Sequence, residues 1–362
     1  MRAEARSLGF AAAGVTNASR LSEGKRLREW LALGYQAGMR WMARPEIRED
    51  PAALLGGARS VVVVGWSIRG PAASPGPGEG RLARFAALPD YHDRIRTALL
   101  ALLERLRAVV PCRGAVAVDS SPVLERALAG RAGLGWAGKS SCLVSADHGP
   151  WLLLGELVLD LDLAPDVPGV PQCGACDRCS VACPTGAIVS PGLVDAGRCV
   201  AYLTVEHRGG IPRELRVRVG RWLFGCDACQ EACPWPRVEP TCGVSTSVET
   251  PQCAPPAAAA AGFLGLDEAG FKAAYAGTAL MRTGRARMAR NAAVVLGNLG
   301  DPAAVPALTA ALRDPDPVVR GHAGWALGRL KGRAPGAAET LAAAARTETD
   351  PAVLEELAAA AA

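Results

Sequence analysis

The stretch CGACDRCSVACP, Cys173 to Pro184, arranges four cysteines in the pattern C-x2-C-x2-C-x3-C-P. This is the spacing of bacterial ferredoxins, in which three thiolates on one tight turn bind three irons of a [4Fe–4S] cube and the fourth cysteine reaches a neighbouring cluster. A second stretch, CDACQEACP, ends at Pro234 and adds three cysteines in C-x2-C-x3-C-P. Together with Cys199, which lies between the two stretches, the pattern predicts two clusters.

The crossed spacing divides eight of the cysteines into two sets of four. The first cluster is assigned to Cys173, Cys176, Cys179 and Cys233, and the second to Cys183, Cys199, Cys226 and Cys229. Two structural zinc ions are the alternative, because C-x2-C pairs also bind zinc, but the x2-x2-x3-Pro spacing favours iron–sulfur. The remaining cysteines are interpreted as small buried residues, namely Cys112, Cys142, Cys242 and Cys253. Two adjacent clusters carry electrons one at a time, so we expect them to supply a further redox centre.

Composition places these cysteines in a globular chain. The 362 residues predict two or three domains, and a hydrophobic content of 50% is ample for buried cores. No apolar run approaches the ~20 residues of a membrane span, and the N-terminus lacks the features of an export signal, so we expect a cytoplasmic protein without a membrane partner. The net charge of +5 is too small by itself to indicate nucleic acid.

Local patterns divide the chain into three parts. Residues 1–165 mix amphipathic helical sequence with short β-rich runs such as SVVVVGW and GAVAVD, which predicts an α/β or α+β domain. A proline-rich boundary leads into the cysteine-rich domain, 166–250, so the chain as a whole is predicted to be α+β. In 262–362 the sequence LGNL at Leu296 recurs as LGRL at Leu327, with Asp-Pro turns between helical runs. This favours HEAT-like repeats over the alternative, an alanine-rich bundle.

The stretch GLGWAGKS, 133–140, matches both G-x-x-x-x-G-K-[ST] and G-x-G-x-x-G. Both fingerprints need a strand before the loop and a helix after it. Here a helical pattern precedes the loop and strand-like runs follow it, so the order is reversed. Nucleotide binding is therefore disfavoured.

The chain resembles the epoxyqueuosine reductases, cobalamin-dependent enzymes that complete the tRNA base queuosine. The resemblance spans nearly the whole length. It is carried by GMRWM, DYHDRI, VDSSPVLERALAGRAGLGWAGKSSCLVS, GPWLLLGEL, the double cysteine pattern and RNAAVVLGNLGD, which occur in the family's order. It implies a cobalamin-binding N-terminal domain, a ferredoxin-like domain with two [4Fe–4S] clusters, and a C-terminal helical repeat that binds tRNA.

The resemblance also implies roles for individual residues. Asp119, at the end of the run GAVAV, corresponds to the family's proton donor, although an Asp-Ser stretch before a helix is also an ordinary helix cap. In the family, the 133–140 loop helps to shape the corrinoid pocket, where glycines allow close approach. The implied cobalamin contacts are Arg48, Gly135, Trp136, Lys139, Leu143 and Tyr202. Lys139 is equally well explained as a solvated side chain.

Two neighbouring positions depart from patterns of cobalamin proteins. The sequence DYHDRI carries Asp90 and His92 of a D-x-H-x-x-G motif, but Ile95 replaces the glycine, so His92 is interpreted as structural. This agrees with a family that binds cobalamin without a protein histidine on cobalt. Phe85 stands where relatives tend to have tyrosine, so no hydroxyl is available there.

Arginines concentrate in HRGGIPRELRVRVGR and MRTGRARMARN. With the resemblance, they predict phosphate contacts to a folded tRNA, although an ordinary solvated basic face is the alternative. The predicted contacts are Arg282, Arg285, Arg287 and Arg290, with Arg213 and Arg216 as further candidates.

The implied reaction is reduction of epoxyqueuosine to queuosine at the wobble position of tRNA by a monomeric enzyme. A low-potential donor of the flavodoxin or ferredoxin type reduces the clusters, the clusters reduce cobalamin, and Asp119 protonates the oxygen released as water. Two other hypotheses are a corrinoid and iron–sulfur reductive dehalogenase and a ferredoxin-like carrier without catalytic activity. A dehalogenase is expected to carry an export signal, and a carrier needs no corrinoid pocket.

Overall fold

A computed structural model describes residues 1–69, 74–87, 89–236 and 257–362. The chain forms two compact units, each built from separate segments. The first unit consists of the described parts of Met1–Pro71, Asp90–Gly197 and Ala228–Cys253, and the second of those of Ala72–Pro89, Arg198–Asp227 and Ala254–Ala362.

The strands of the described residues fall into one larger sheet and three small ones. They are β1 (Ala12–Asn17), β2 (Ser60–Ser67), β3 (Glu79–Leu82), β4 (Gly114–Ala117), β5 (Trp136–Ala137), β6 (Leu143–Val144), β7 (Leu152–Leu159), β8 (Ile188–Ser190), β9 (Leu193–Val194), β10 (Trp222–Phe224) and β11 (Ala257–Ala259).

The described residues also form sixteen α-helices. They are α1 (Arg2–Ser7), α2 (Gly24–Ala32), α3 (Pro45–Arg48), α4 (Tyr91–Arg107), α5 (Glu125–Arg131), α6 (Arg178–Ala182), α7 (Val200–Val205), α8 (Arg213–Val219), α9 (Ala228–Glu231), α10 (Ala260–Leu264), α11 (Glu268–Tyr275), α12 (Arg285–Leu299), α13 (Val305–Ala311), α14 (Pro317–Leu330), α15 (Ala337–Thr347) and α16 (Pro351–Ala361). Over the described ranges, every helix is too short or too polar to cross a bilayer.

The first unit is organised around a four-stranded sheet in the order β1-β2-β7-β4, in which every neighbouring pair is antiparallel. The valine run of β2 is buried on both faces, so alternate side chains enter two separate cores. Val62 and Val64 pack with Leu99 of α4, whereas Val61 and Val63 pack with Leu128 of α5. The antiparallel pairing makes this unit α+β.

The second unit combines a three-stranded sheet, β10-β3-β11, with the C-terminal helices. The internal repeat predicted from the sequence forms successive helices, because α12 packs against α14 and α14 against α16. Asp-Pro turns begin three of these segments: the carboxylates of Asp301, Asp316 and Asp350 each accept a backbone N–H, and each is followed by proline at the first helical position.

Candidate functional site

Asp119 lies two residues beyond β4 in the first unit, as the sequence predicted. Its backbone adopts a left-handed conformation with φ of 43°, which asparagine and aspartate tolerate better than most residues. Helix α5 begins only at Glu125 and has no side-chain cap at its N-terminus, so the helix-cap alternative for Asp119 is excluded. The carboxyl side chain is 53% exposed and can be reached from solvent.

Two further carboxyl groups lie near Asp119. Glu125, the first residue of α5, accepts the backbone N–H of Asp119. Burial, followed by the charge of Asp119, raises the pKa of Glu125 to about 7. Glu156 lies on β7 directly opposite Ala117 of β4 and is fully buried.

Neither carboxyl oxygen of Glu156 has a hydrogen-bond partner among the described residues. Burial raises its pKa well above the ordinary carboxyl value, and the charges of Glu125 and Asp119 act in the same direction. The protonated form of Glu156 is therefore favoured, because an isolated carboxylate is very costly in a core of this kind.

His92 is in direct contact with Asp119. Its Nε2 lies 2.8 Å from Asp119 Oδ2, and its Nδ1 lies 2.7 Å from Asp90 Oδ1. Helix α4 begins at Tyr91 with Asp90 as its cap. The interpretation of His92 as only structural did not anticipate this contact.

Among the predicted cobalamin contacts, Arg48 alone has a buried N–H with no hydrogen-bond acceptor in the described part of the chain. It is 8% exposed, and its Nη2 donates to the Trp41 carbonyl over 3.2 Å, while its Nε has no partner among the described residues. Burial lowers its pKa, whereas the charges of Glu125 and Asp119 raise it. A buried guanidinium N–H beside the Asp119 group fits a bound polar or anionic group.

The 133–140 stretch follows helix α5, contains strand β5 and leads to strand β6, so the predicted helix-to-strand order is confirmed. The glycine at position 135 is explained within the protein, because a Cβ there would lie 2.1 Å from the carbonyl oxygen of Val144. Leu143 is buried in the core with Leu128. Internal packing is thus one explanation of Gly135 and Leu143, and their contact with cobalamin stays a prediction.

The other predicted cobalamin contacts are placed in different surroundings. Trp136 is buried, and its indole N–H donates to the Cys173 sulfur over 3.4 Å, so it faces a predicted cluster ligand. Lys139 is partly exposed. Tyr202 is buried on α7 in the second unit, with its ring 5.7 Å from that of His207.

Four cysteines of the first predicted cluster lie together in the first unit. Burial raises the pKa of Cys233, and so do the charges of Cys173, Cys179 and Cys176, which places the four thiols near one another. These four thiols of the first set have the composition that a [4Fe–4S] cube requires. In the second set, the Cys183 sulfur accepts a hydrogen bond from the backbone N–H of Ala187 over 3.2 Å.

The second predicted set is divided between the two units, with Cys183 and Cys229 in the first and Cys199 and Cys226 in the second. Of the cysteines not assigned to a cluster, Cys112 packs beside the core that contains Val62 and Leu99, and Cys142 is half-buried. Cys242 and Cys253 lie outside the described residues. No single-ion metal site formed by three His, Cys, Asp or Glu side chains is found in the described part of the chain.

Three of the four arginines predicted to bind tRNA have internal roles. Arg290 is fully buried and donates to the carbonyls of Leu203, His207 and Gly209, while Arg285 forms a buried two-bond ion pair with Asp314. The guanidinium of Arg287 is occupied by backbone carbonyls, including that of Val205. The prediction of phosphate contacts is therefore wrong for Arg285 and Arg290, and Arg287 is poorly placed for one.

The remaining arginines differ in exposure. Arg216 is buried against Glu356, and Arg213 is bound to the same carboxylate, so Arg216 is corrected to a structural residue. Arg282 is exposed. Arginine density along the sequence did not separate these cases, because a guanidinium can satisfy several backbone carbonyls inside a helical repeat.

Sequence reasoning missed Glu125, Glu156 and the role of His92. Glu156 carried a usable signal, since it is a single acid within the apolar run WLLLGELVL. A charged residue in a buried strand indicates either a partner or a raised pKa. Glu125 carried no comparable signal, because a glutamate in the first turn of a helix is ordinary.

Comparison with known proteins gives three family matches. Residues 172–236 match the 4Fe-4S double cluster binding domain, residues 277–362 match HEAT repeats, and residues 48–120 match the family described as epoxyqueuosine reductase QueG, DUF1730. An epoxyqueuosine reductase of Xanthomonas campestris is 40% identical over 341 residues, covering 90% of this chain and 94% of the relative. That of Escherichia coli is 37% identical over 328 residues, covering 88% and 86%.

Solved structures agree with the sequence relatives. A structure of epoxyqueuosine reductase with an epoxyqueuosine-modified tRNA-Tyr stem loop has a TM-score of 0.88 and 31% identity, covering 99% of this chain and 96% of that one. The similarity extends through both units, so it concerns the whole chain.

The double-cluster domain, the HEAT repeats and the carboxyl-rich site at the sheet edge define an iron–sulfur oxidoreductase. More particularly, the chain belongs to the epoxyqueuosine reductase family, which confirms the resemblance seen in the sequence.

Proposed function

We propose that this protein reduces epoxyqueuosine to queuosine at the wobble position of tRNA, with Asp119 as the proton donor. The observation that carries the assignment to this site is the half-exposed carboxyl of Asp119 at the end of a buried sheet. His92 contacts this carboxyl, and Glu125 accepts the backbone N–H of Asp119. Converting an epoxide to an alkene and water consumes two electrons and two protons. Asp119 delivers one proton to the departing oxygen, and the solvent supplies the other.

Cobalamin is the proposed electron-transferring group at this site, and when bound it supplies electrons at low potential to the epoxide. The buried, unmatched Nε of Arg48 near Asp119 supports its placement here. Lys139 and Tyr202 remain proposed contacts. Arg48 orients a polar group of the bound molecule, and burial of Glu156, which raises its pKa, favours less negative charge near Asp119.

The ligand sets proposed for the two [4Fe–4S] clusters are those predicted from the spacing. Proximity of Cys233 to Cys173, Cys176 and Cys179 supports the crossed assignment of the first cluster. The second set, Cys183, Cys199, Cys226 and Cys229, rests on spacing alone. An external one-electron donor of low potential, of the flavodoxin or ferredoxin type, reduces the clusters.

The proposed tRNA contacts are the exposed arginines of the second unit. Arg282 is retained from the sequence prediction, and Arg208 and Arg218 are exposed in the other arginine-rich stretch. Exposed guanidinium groups bind phosphate through charge-assisted hydrogen bonds. A tRNA substrate is consistent with a cytoplasmic enzyme, and one chain contains every residue assigned above, so we propose a monomer.

The test is anaerobic reconstitution with iron, sulfide and cobalamin, followed by mass spectrometry of nucleosides from epoxyqueuosine-containing tRNA. Wild type is expected to form queuosine, and Asp119→Asn to lose 10²–10⁴-fold in rate, the usual contribution of general acid catalysis. Asp93→Asn is the matched control, because Asp93 is an exposed acid of α4. Cobalamin binding by Asp119→Asn, followed by its visible absorption, shows that the site is still assembled.

If wild type binds both cofactors and forms no queuosine, the proposed reaction is wrong. If Asp119→Asn retains the wild-type rate, the reaction stands and the assigned proton donor is wrong.

A further inference from the structure

His92 lies between two carboxyl groups, and this arrangement determines where a proton is held. Its Nδ1 contacts Asp90 over 2.7 Å and its Nε2 contacts Asp119 over 2.8 Å. The His92 side chain is 16% exposed, compared with 53% for Asp119. The aspartate therefore faces the solvent, and the histidine lies behind it.

The orientation of the ring is determined by the start of α4. Asp90 caps this helix, and its Oδ1 accepts the backbone N–H of His92 over 3.1 Å as well as contacting Nδ1. The ring also stacks on Tyr91, with centroids 4.1 Å apart and an interplanar angle of 29°. These contacts direct Nε2 toward Asp119.

The contact between His92 and Asp119 depends on which nitrogens of the ring carry protons. An ionised carboxylate can only accept hydrogen bonds, so the Asp90 contact needs the N–H on Nδ1. The contact between Nε2 and Asp119 then needs one additional proton. That proton is carried either by His92, as an imidazolium beside a carboxylate, or by Asp119, as a carboxylic acid beside a neutral imidazole.

Charged groups from the surrounding elements act on this shared proton. Glu125 of α5 and Glu156 of β7 face the pair, and Glu125 also interacts with the charge of His92. Negative charge on either acid favours retention of the proton by the His92–Asp119 pair, whereas the positive charge of Arg48 on α3 favours its loss. The N-terminal end of α4 disfavours a cationic imidazole and so shifts the proton toward Asp119.

We propose that His92 is a positioning residue that keeps Asp119 supplied with the proton it delivers, and that Asp90 holds His92 in the required tautomer. The proposal rests on the proposed role of Asp119. In the reaction, the O–H bond of Asp119 breaks and an O–H bond forms on the departing oxygen. Asp119 is left as a carboxylate beside neutral His92, and a proton from solvent restores the pair. The electrons come from the low-potential donor named above.

The first experiment observes the proton without turnover. The chain has four histidines, so ¹⁵N-labelled imidazole signals can be assigned by substitution. In the reconstituted wild-type protein, we expect His92 to titrate as a unit with Asp119. In Asp119→Asn, the signal is expected to titrate at lower pH, because the carboxylate that stabilises the cationic form is gone. An unchanged His92 titration in Asp119→Asn overturns the proposal.

The second experiment measures the rate against pH at saturating tRNA. Without His92, Asp119 alone must retain the proton, so His92→Gln is expected to move the high-pH limb of the kcat profile to lower pH. We expect a loss of about 10²-fold in kcat near neutral pH with KM little changed. Asp90→Asn is expected to shift the limb in the same direction, and Asp93→Asn is the control.

A purely structural role for His92 predicts a different result. It would reduce the folded fraction without moving the pH limb, and that outcome overturns the proposal. Failure of the wild type to form queuosine contradicts the proposed function instead, and the imidazole titration still decides the role of His92.

Discussion

Asp119 combines a strained backbone conformation with a side chain held on two sides. Its φ of 43° is uncommon for a residue with a side chain, and such conformations persist where surrounding contacts determine them. Here Glu125 binds its backbone N–H and His92 binds its carboxyl. The carboxyl is therefore preorganised at the surface of the first unit, as a proton donor requires.

At the same residue scale, Glu156 predicts a pH dependence of stability. The folded state raises its pKa, so between the ordinary value of ~4.3 and the folded value the folded protein binds more protons than the unfolded chain. The free energy of unfolding consequently falls as pH rises through this window. Glutamine cannot ionise, so the free energy of unfolding of Glu156→Gln is expected to fall less steeply with pH. The difference in slope from wild type is up to ~1.4 kcal/mol per pH unit.

The measurement is denaturant unfolding of wild type and variant from pH 5 to 8. Glu29→Gln removes an exposed glutamate and serves as the control. Identical slopes for wild type and Glu156→Gln would show that Glu156 is ionised in the folded protein.

At the scale of an element, α12 shows that a basic helix need not be a binding surface. Arg290 joins α12 to the segment around Leu203 and Gly209 through backbone carbonyls, and Asn291 adds bonds to Thr204 and Leu223. A buried carbonyl that loses its donor costs ~1–3 kcal/mol. These polar side chains are therefore structural links within the second unit.

Arg290→Ala and Arg282→Ala are expected to behave in opposite ways. Arg290→Ala should lower the free energy of unfolding by at least ~3 kcal/mol, because several buried carbonyls lose their donor at once. Its folded fraction should bind tRNA normally. Arg282→Ala, at an exposed position, should cost less stability than Arg290→Ala but weaken tRNA binding and reduce its salt dependence by about one ion.

Denaturant unfolding and tRNA titration at several salt concentrations separate these two effects. Loss of tRNA affinity by fully folded Arg290→Ala, at unchanged stability, would contradict the structural role.

At the scale of the whole molecule, the chain combines a double-cluster domain and a helical repeat with the site proposed to donate a proton. Electron delivery and proton delivery are assigned to separate groups of residues. In the proposed crossed assignment the two cysteine motifs depend on each other, since each motif supplies a ligand to the other's cluster.

Paired substitutions test the crossing through iron content. Cys173→Ala combined with Cys233→Ala removes two ligands of one cluster, so iron is expected to fall from ~8 to ~4 per chain. Cys173→Ala combined with Cys183→Ala removes one ligand from each cluster, so nearly all iron should be lost. The reverse pattern would show that the motifs are not crossed. Cys112→Ala is the control, because Cys112 packs beside the core that contains Val62 and Leu99, and this variant should retain ~8 iron atoms.

The sequence by itself determined the features that depend on local spacing. Cysteine spacing predicted the double-cluster domain, and the recurrence of LGNL and LGRL with Asp-Pro turns predicted the HEAT repeats. The reversed order around Gly133 argued against a phosphate-binding loop, and the long motif around Asp119 indicated the family. Such features are readable because ligand spacing, helix caps and helical periodicity involve residues close together in the chain.

Tertiary structure alone decided which polar side chains are available and what surrounds them. It brings His92 and Glu156 to Asp119 from distant parts of the chain, and it buries Arg285 and Arg290 among internal partners. Burial and through-space charge depend on how strands and helices pack, and these two effects determine whether a carboxyl keeps its proton or a guanidinium reaches solvent. No local pattern in one sequence contains that information.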